Sequence, residues 1–303
     1  MARTLNEARS LFIAELVALG IDRAEARAEA DLAMRSLTGL SAAALIVQGD
    51  KPFAAAQQRR FEEILEGRRQ RRPIQYILGE ASFMGLDFIV DDSVLIPRLD
   101  TEILVEATLL HLEQLQRPIS GSYLGSHLGS SALHLLEVGA GSGIIAVSLL
   151  KRVPGLMATA FEISPGAARV CRANAVKHGV DGRLHLIEGD YRQGLRALGG
   201  AYSIFVSNPP YIPAADLPGL APEVRGYEPD LALRGEGEDG LGFYRSFAEL
   251  LPSCQPFKKA AVFLEFGHGQ GEQVQSLFAD AGYETTLIAD LSGKPRVMAG
   301  LPN

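Results

Sequence analysis

The first seventy residues carry apolar positions at helical spacing only. Thr4 and Glu7 form a capping-box pair, after which Leu5, Ala8, Leu11, Phe12, Leu16 and Leu19 recur along one face until Gly20. Asp22 opens a second helix through Ala24, Ala28, Leu32 and Leu37 that stops near Gly39. Ser41 starts a short third helix, and Pro52 precedes a fourth bearing Phe53, Phe61, Ile64 and Leu65. These predict a small helical bundle with short connections. At Pro73 the texture changes. Residues 74–79 and 83–90 are short apolar or alternating runs broken by Gly and Asp, which predict one or two β-hairpins as a connector. A helix over about 100–116 follows, then a Gly/Ser-rich stretch, 117–131, that reads as a surface insertion.

From Leu133 the pattern alternates. Apolar runs at 133–138, 157–161, 184–187, 202–206 and 260–266 predict strands, and helical segments near 143–152, 165–178, 241–251 and 270–281 separate most of them. Such alternation implies an α/β domain with a parallel sheet covered by helices on both faces. The runs 283–289 and 296–301, joined by Ser292-Gly293-Lys294-Pro295, predict a closing hairpin with one antiparallel strand, seven strands in all. The expected segmentation is a helical domain at 1–72, a hairpin connector at 73–98 and a catalytic α/β domain at 99–303.

Composition narrows the classes without choosing among them. At 303 residues, 47% hydrophobic and 21% charged, the chain is neither disordered nor fibrous. A formal charge of −7 makes it a poor general binder of phosphate backbones. Two cysteines, Cys171 and Cys254, cannot build a disulfide framework, and no ligand set for a metal is spaced for one. The first residues have no signal-peptide pattern and no apolar run nears the ~20 residues that span a bilayer, so a cytoplasmic setting with no membrane role is expected.

Candidate chemistry begins at the end of the first α/β strand, where Glu137-Val138-Gly139-Ala140-Gly141-Ser142-Gly143 runs straight into a helix. Glycines at alternate positions allow a sharp turn and leave room for a ligand against the backbone. The third glycine comes one residue earlier than in the dinucleotide fingerprint, because Ile144 occupies that place. This spacing, with an acid two residues before the first glycine, resembles the S-adenosylmethionine loop of class I methyltransferases. Glu162 ends the next strand nineteen residues after Gly143, where a carboxylate can accept both ribose hydroxyls. The third strand ends in Asp190-Tyr191, an acceptor for the adenine amine and a ring to pack on the base.

After the fourth strand stands Asn208-Pro209-Pro210-Tyr211. The prolines fix their own dihedrals and remove two backbone donors, leaving carbonyls and the Asn208 amide as the polar features. Such a site suits a substrate that donates hydrogen bonds, an NH2 group. One hydrogen can go to the Asn208 side-chain oxygen and the other to the Pro209 carbonyl, with Tyr211 offering an aromatic face. An amide nitrogen is a feeble nucleophile, so positioning and electrostatics are the help this loop can give.

Asn-Pro-Pro-Tyr downstream of such a glycine loop resembles the amino methyltransferases that act on planar NH2 groups. The runs Pro73–Glu80, Val94–Arg98 with Asp100-Thr101-Glu102, Glu223-Val224-Arg225 with Tyr227-Glu228-Pro229, Glu238–Leu241 with Phe243-Tyr244-Arg245, and Leu264–Gly267 with Gln270-Gly271 are similar to the protein glutamine methyltransferases of peptide chain release factors. The likeness covers essentially the whole chain. It implies a class I, Rossmann-like methyltransferase fold, S-adenosylmethionine as cofactor, and the glutamine of a Gly-Gly-Gln motif in a release factor as substrate. It also implies cofactor contacts from Gly139, Ala140, Gly141, Ser142, Gly143, Glu162, Tyr191 and Asn208, and substrate contacts from Asn208, Pro209, Pro210 and Tyr211. The chain departs from the family pattern at Glu137 and Glu162, where Asp is usual, at Tyr191 for Trp, and at Leu99 for Pro. The 117–131 insertion is long for the family and Arg234–Gly237 is one residue over length.

Three alternatives stand beside this reading: a glutamine methyltransferase of a large-subunit ribosomal protein, an adenine amino methylase of nucleic acid, and an inactive binding module. The charge split bears on the choice. Residues 1–75 hold 12 basic and 10 acidic side chains, whereas the rest hold 17 and 26. A protein substrate, no DNA binding and a monomeric enzyme are expected, with the helical domain recognising the partner. The run Arg68-Arg69-Gln70-Arg71-Arg72, with Arg59 and Arg60 before it, reads first as a solvated helix end complementing the macrodipole, and second as a face for release factor or ribosomal RNA.

Overall fold

Capping and apolar spacing produce the helices where the pattern places them. The computed structural model of the chain describes residues 3–116, 133–199, 201–251 and 260–303, so the 117–131 insertion and Cys254 lie outside the described residues. Helix α1 (Leu5–Ala18) starts at Thr4, whose side chain accepts from Glu7 N while the Glu7 carboxylate accepts from Thr4 N. Helix α2 (Arg23–Thr38) is capped by Asp22 and ends at Gly39 in the left-handed region, φ 67°. Helices α3 (Ala42–Val47) and α4 (Ala55–Arg69) complete the bundle around Phe12, Phe53 and Phe61.

Residues 74–78 correct the sequence reading. They form helix α5 (Ile74–Leu78), bounded by Pro73 and by Gly79 at φ 78°, rather than a strand. A five-residue apolar run has no periodicity to separate the two, and its flanking residues decide. The hairpin comes just after it, as β1 (Glu80–Phe83) and β2 (Leu86–Ile89).

The remaining elements are α6 (Asp100–Gln116), β3 (His134–Val138), α7 (Ile144–Arg152), β4 (Met157–Glu162), α8 (Pro165–Lys177), β5 (Leu184–Glu188), α9 (Tyr191–Gly194), β6 (Ile204–Ser207), α10 (Pro222–Tyr227), α11 (Asp230–Leu233), α12 (Gly242–Leu250), β7 (Ala261–Glu265), α13 (Gly271–Asp280), β8 (Tyr283–Ala289) and β9 (Pro295–Pro302). Seven strands form one sheet in the order β5-β4-β3-β6-β7-β9-β8. Pairings among β3 to β7 are parallel, and β9 runs antiparallel to both β7 and β8. The mostly parallel seven-stranded α/β architecture is the expected one. Strands β6 and β7 are buried at every position, as a sheet covered on both faces requires.

The described residues divide into two compact units, Met1–Glu80 with Ala221–Tyr227, and Ala81–Leu220 with Glu228–Asn303. Within the first, the arginine run is a solvated helix end only in part: Arg69 and Arg72 are exposed, whereas Arg68 is buried and Arg71 half-buried. Arg68 is 1% exposed and grips Glu29 through two hydrogen bonds, 2.6 and 3.0 Å, with a third to Glu223 at 3.2 Å. Arg71 pairs with the same Glu223 at 2.8 Å, and Arg69 pairs with Glu15 at 2.9 Å. Three of the run's guanidinium groups are thus bound by carboxylates of their own unit, and Glu223 ties the 221–227 segment to the bundle. Arg68→Ala is expected to cost about 3–5 kcal/mol in a urea titration, because it leaves the Glu29 carboxylate buried without its partner. A loss below about 1 kcal/mol would place the cluster among solvated surface pairs.

Candidate active site

Sheet order reverses direction at β3, whose parallel neighbours β4 and β6 lie on its two sides. In open α/β sheets the crevice at the carboxyl ends of such strands takes the ligand. Here it is a cavity of about 310 Å³ lined by the loops after β3, β4, β5 and β6.

The loop after β3 is held from below. Gly139 N and Ala140 N both donate to the Phe161 carbonyl, at 2.9 and 3.1 Å. Gly139 and Gly141 have φ of 75° and 54°, and a Cβ on either would meet no atom within 4 Å. The space they leave belongs to the cavity, which both residues line together with Ala140 and Ser142. Glu162, at the end of β4, accepts from Gly141 N through Oε2 and from Ser164 N through Oε1, each at 2.8 Å. Two backbone N–H groups therefore fix this carboxylate in place, and each oxygen keeps a lone pair for a further donor. Asp190 caps α9 by accepting from Arg192 N at 2.9 Å, and it lines the cavity beside Tyr191. The Tyr191 ring packs on Phe243, centroids 5.4 Å apart, and burial pushes its hydroxyl up to about 12.

On the other side of β3, Ser207 Oγ donates to the Val138 carbonyl at 2.7 Å, tying the ends of β6 and β3 together. Asn208, Pro209 and Pro210 then line the cavity. Asn208 Nδ2 donates to Thr101 Oγ1 at 3.0 Å. Among the described residues no donor occupies Asn208 Oδ1 or the Pro209 carbonyl. The wall thus offers two acceptors and, with two prolines, no backbone donor of its own.

Comparison with known proteins agrees with this geometry. Residues 7–79 match the family model described as the PrmC N-terminal domain, and residues 119–217 match the methyltransferase small domain. The chain is 39% identical over 278 residues to the release factor glutamine methyltransferase of Geobacter sulfurreducens, covering 91% of this chain and 89% of that one. It is 36% identical over 297 residues to the release factor glutamine methyltransferase of Moorella thermoacetica, covering 97% and 96%. The chain belongs to the release factor glutamine methyltransferase family. Among solved structures, the hMettl16 catalytic domain in complex with MAT2A 3'UTR hairpin 6 superposes with a TM-score of 0.51 at 13% identity, over 82% of each chain, which supports the class I methyltransferase fold alone. The chain is thus a methyltransferase using a methyl donor of the S-adenosylmethionine type.

Two expected residues of this family member do not line the cavity. Gly143 faces away, since a Cβ there would lie 2.9 Å from Cys171 Sγ, so its lack of a side chain serves the packing of α7 on α8. Tyr211 packs against the hydrophobic core, with its hydroxyl 3.5 Å from Glu265 Oε1 and its carbonyl accepting from Gln270 Nε2 at 3.0 Å. Its apolar ring gains more from burial than from the open wall.

Several lining residues carried no role in the sequence reading. Arg98 is ion-paired to Glu228, a buried carboxylate that also accepts from Ile96 N at 3.2 Å. Arg192 pairs with Glu236 beside the cavity. Thr101, fully buried in the first turn of α6, touches Asn208 across 107 positions of sequence; it stands in a run that resembles the family, but nothing local gives it this contact. The acid before the glycine loop is structural: Glu137 Oε2 accepts from Ala146 N at 3.1 Å and so caps α7, and burial raises its pKa well above the usual carboxylate range.

Gly143→Ala is expected to destabilise the protein more than Gly139→Ala, by roughly 1–3 kcal/mol of overpacking beyond the shared backbone strain. Gly139→Ala should instead weaken S-adenosylhomocysteine binding, because its new methyl projects into the cavity. Denaturant titration and calorimetry on the two variants check this, and the opposite ranking would contradict it.

Proposed function

We propose that this chain methylates the side-chain amide nitrogen of a glutamine, that of the Gly-Gly-Gln motif of a peptide chain release factor, with S-adenosylmethionine as methyl donor. The observation that carries the chemistry is the pair of open acceptors, Asn208 Oδ1 and the Pro209 carbonyl, on the wall of the cavity that the glycine loop and Glu162 also line. A primary amide offers two hydrogens in one plane, and two acceptors fix that plane. The out-of-plane electrons of the nitrogen are then held facing the cavity, which converts a free encounter into a fixed approach. The prolines contribute by absence, because neither N–H competes for the acceptors.

The residues present fit the cofactor. Gly139 and Gly141 leave the room, Glu162 keeps lone pairs for the ribose hydroxyls, and Asp190 and Tyr191, which line the same cavity, would serve the adenine amine and ring. Bound there, S-adenosylmethionine would supply an electrophilic methyl group. Gly143 and Tyr211 support the site through packing instead. Once alkylated, the amide nitrogen is acidic, so its proton needs no strong base to leave.

The release factor as substrate is supported by relatives of that name at 34–39% identity along most of this chain. On this reading residues 1–72 recognise the partner, residues 73–98 connect, and residues 99–303 transfer the methyl group, in a protein acting as a monomer without binding DNA. The excess of acidic over basic side chains beyond residue 75 opposes a nucleic-acid substrate.

Tritiated S-adenosylmethionine offered with purified release factor, ribosomal protein and DNA in parallel should label the release factor only. Asn208→Ala should lower that labelling by about a hundredfold or more, the scale of losing one preorganised hydrogen-bonding partner, with the melting temperature little changed. Label in DNA or in the ribosomal protein would contradict the substrate, and wild-type labelling by Asn208→Ala would contradict the mechanism.

A further inference from the structure

Among the described residues, the face of the sheet that carries α6 is only partly covered. Helix α6 lies against β7 and β9, whereas α13 packs on β8 and β9 from the other side, where Tyr283 and Leu287 join the core around Phe278. Successive residues of a strand face opposite ways, so Glu284, Thr286 and Ile288 of β8 are left on the α6 side. They line one wall of a groove of about 910 Å³ whose other wall is α6 from Asp100 to Gln114. Its length is about 20 Å by either the helix rise or the strand rise, which is room for roughly six extended residues.

Two properties set this groove apart from ordinary surface. Leu99 and Leu110 line it while 80% and 62% exposed, and Leu291 lines it while wholly exposed. Single exposed leucines are common, but three on one groove form the kind of patch that marks a contact with another protein. The charge is one-sided as well. Apart from His111, whose charged form burial disfavours, every ionisable side chain lining the groove is acidic: Asp100, Glu102, Glu106, Glu284 and Asp290. Arg296 pairs with Asp100 and Asp290, and Glu102 accepts from Met84 N. Glu106 and Glu284 are exposed and have no cationic partner among the described residues.

One end of the groove adjoins the substrate wall. Ile288 pairs with Val297, Val297 with Glu265, and Leu264 with Ser207, so Asp290 and Leu291 leave the sheet at the edge where Asn208 does. Around the start of α6 the chain alternates between the two sites: Arg98 and Thr101 line the cavity, Leu99 and Asp100 the groove. We propose that the groove is a second docking site for the protein substrate, taking a segment of it that carries lysine or arginine together with apolar side chains. The inference rests on the reading under Proposed function that the substrate is a release factor, and it adds where that protein is gripped outside the glutamine. The leucines supply the apolar contact, and Glu106 and Glu284 select for positive charge, which makes the grip sensitive to salt.

The test uses the full chain with a Gly-Gly-Gln release factor as substrate. The double variant Glu106→Lys with Glu284→Lys should raise KM for the release factor by about tenfold. Its kcat and S-adenosylhomocysteine affinity should stay within about twofold of wild type, because neither residue lines the cavity. Added salt should raise the wild-type KM more steeply than that of the double variant. Independently, Leu110→p-benzoylphenylalanine, irradiated with the release factor, should crosslink to a release-factor segment that contains lysine or arginine. An unchanged KM in the double variant would overturn the docking site while leaving the proposed function standing. So would a crosslink to a second copy of this chain, to residues 117–131 of the same chain, or to nothing. A wild-type enzyme that binds S-adenosylhomocysteine yet labels no release factor would instead overturn the proposed function, and this inference with it.

Discussion

The reversal of strand order at β3 is the constraint on which the site depends. Because β4 and β6 flank β3 and all three run parallel, their following loops leave the same edge of the sheet and diverge, opening a crevice there. The glycine loop follows β3 and Asn208-Pro209-Pro210 follows β6, so cofactor loop and substrate loop face each other across the switch. The short bonds that brace this edge, Gly139 N to the Phe161 carbonyl and Ser207 Oγ to the Val138 carbonyl, keep the crevice walls at fixed spacing.

Carboxylates at the strand ends divide the labour by what surrounds them. Glu137 is sealed inside and caps a helix, Glu162 is pinned by two backbone N–H groups at the cavity wall, and Glu265 is buried at the end of β7 beneath the Tyr211 hydroxyl. Burying an ionised group is unfavourable, and burial accordingly raises the carboxyl of Glu137 well above the usual carboxylate range. The asymmetry of the wall follows the same logic in reverse: the prolines withhold donors so that an NH2 group finds only acceptors.

Local signals made much of this legible. The turn at Gly139–Gly143 and the acids ending successive strands each act within a few residues of one another, and so does the two-proline loop, so their spacing reports them. The ambiguous cases were short. Residues 74–78 form a helix from a five-residue apolar run, and Gly143 and Tyr211, read as ligand contacts from motif membership, turn toward the core. What sequence could not show is pairing at long range. Arg68 lies in a run that looks solvated yet is buried by Glu29 and by Glu223, a residue 155 positions away, and Thr101 reaches Asn208 across 107. Both depend on tertiary contacts that leave no periodic trace.

The central claim is that two acceptors hold both hydrogens of the substrate amide, and the extent of methylation tests it most directly. Mass spectrometry of a Gly-Gly-Gln release factor driven to completion with excess enzyme and methyl donor should show one methyl group on the glutamine nitrogen and no second. A singly methylated amide has only one hydrogen left, and its methyl group would collide with Asn208 Oδ1 or the Pro209 carbonyl. Dimethylglutamine accumulating at a rate comparable to the first transfer would contradict the account.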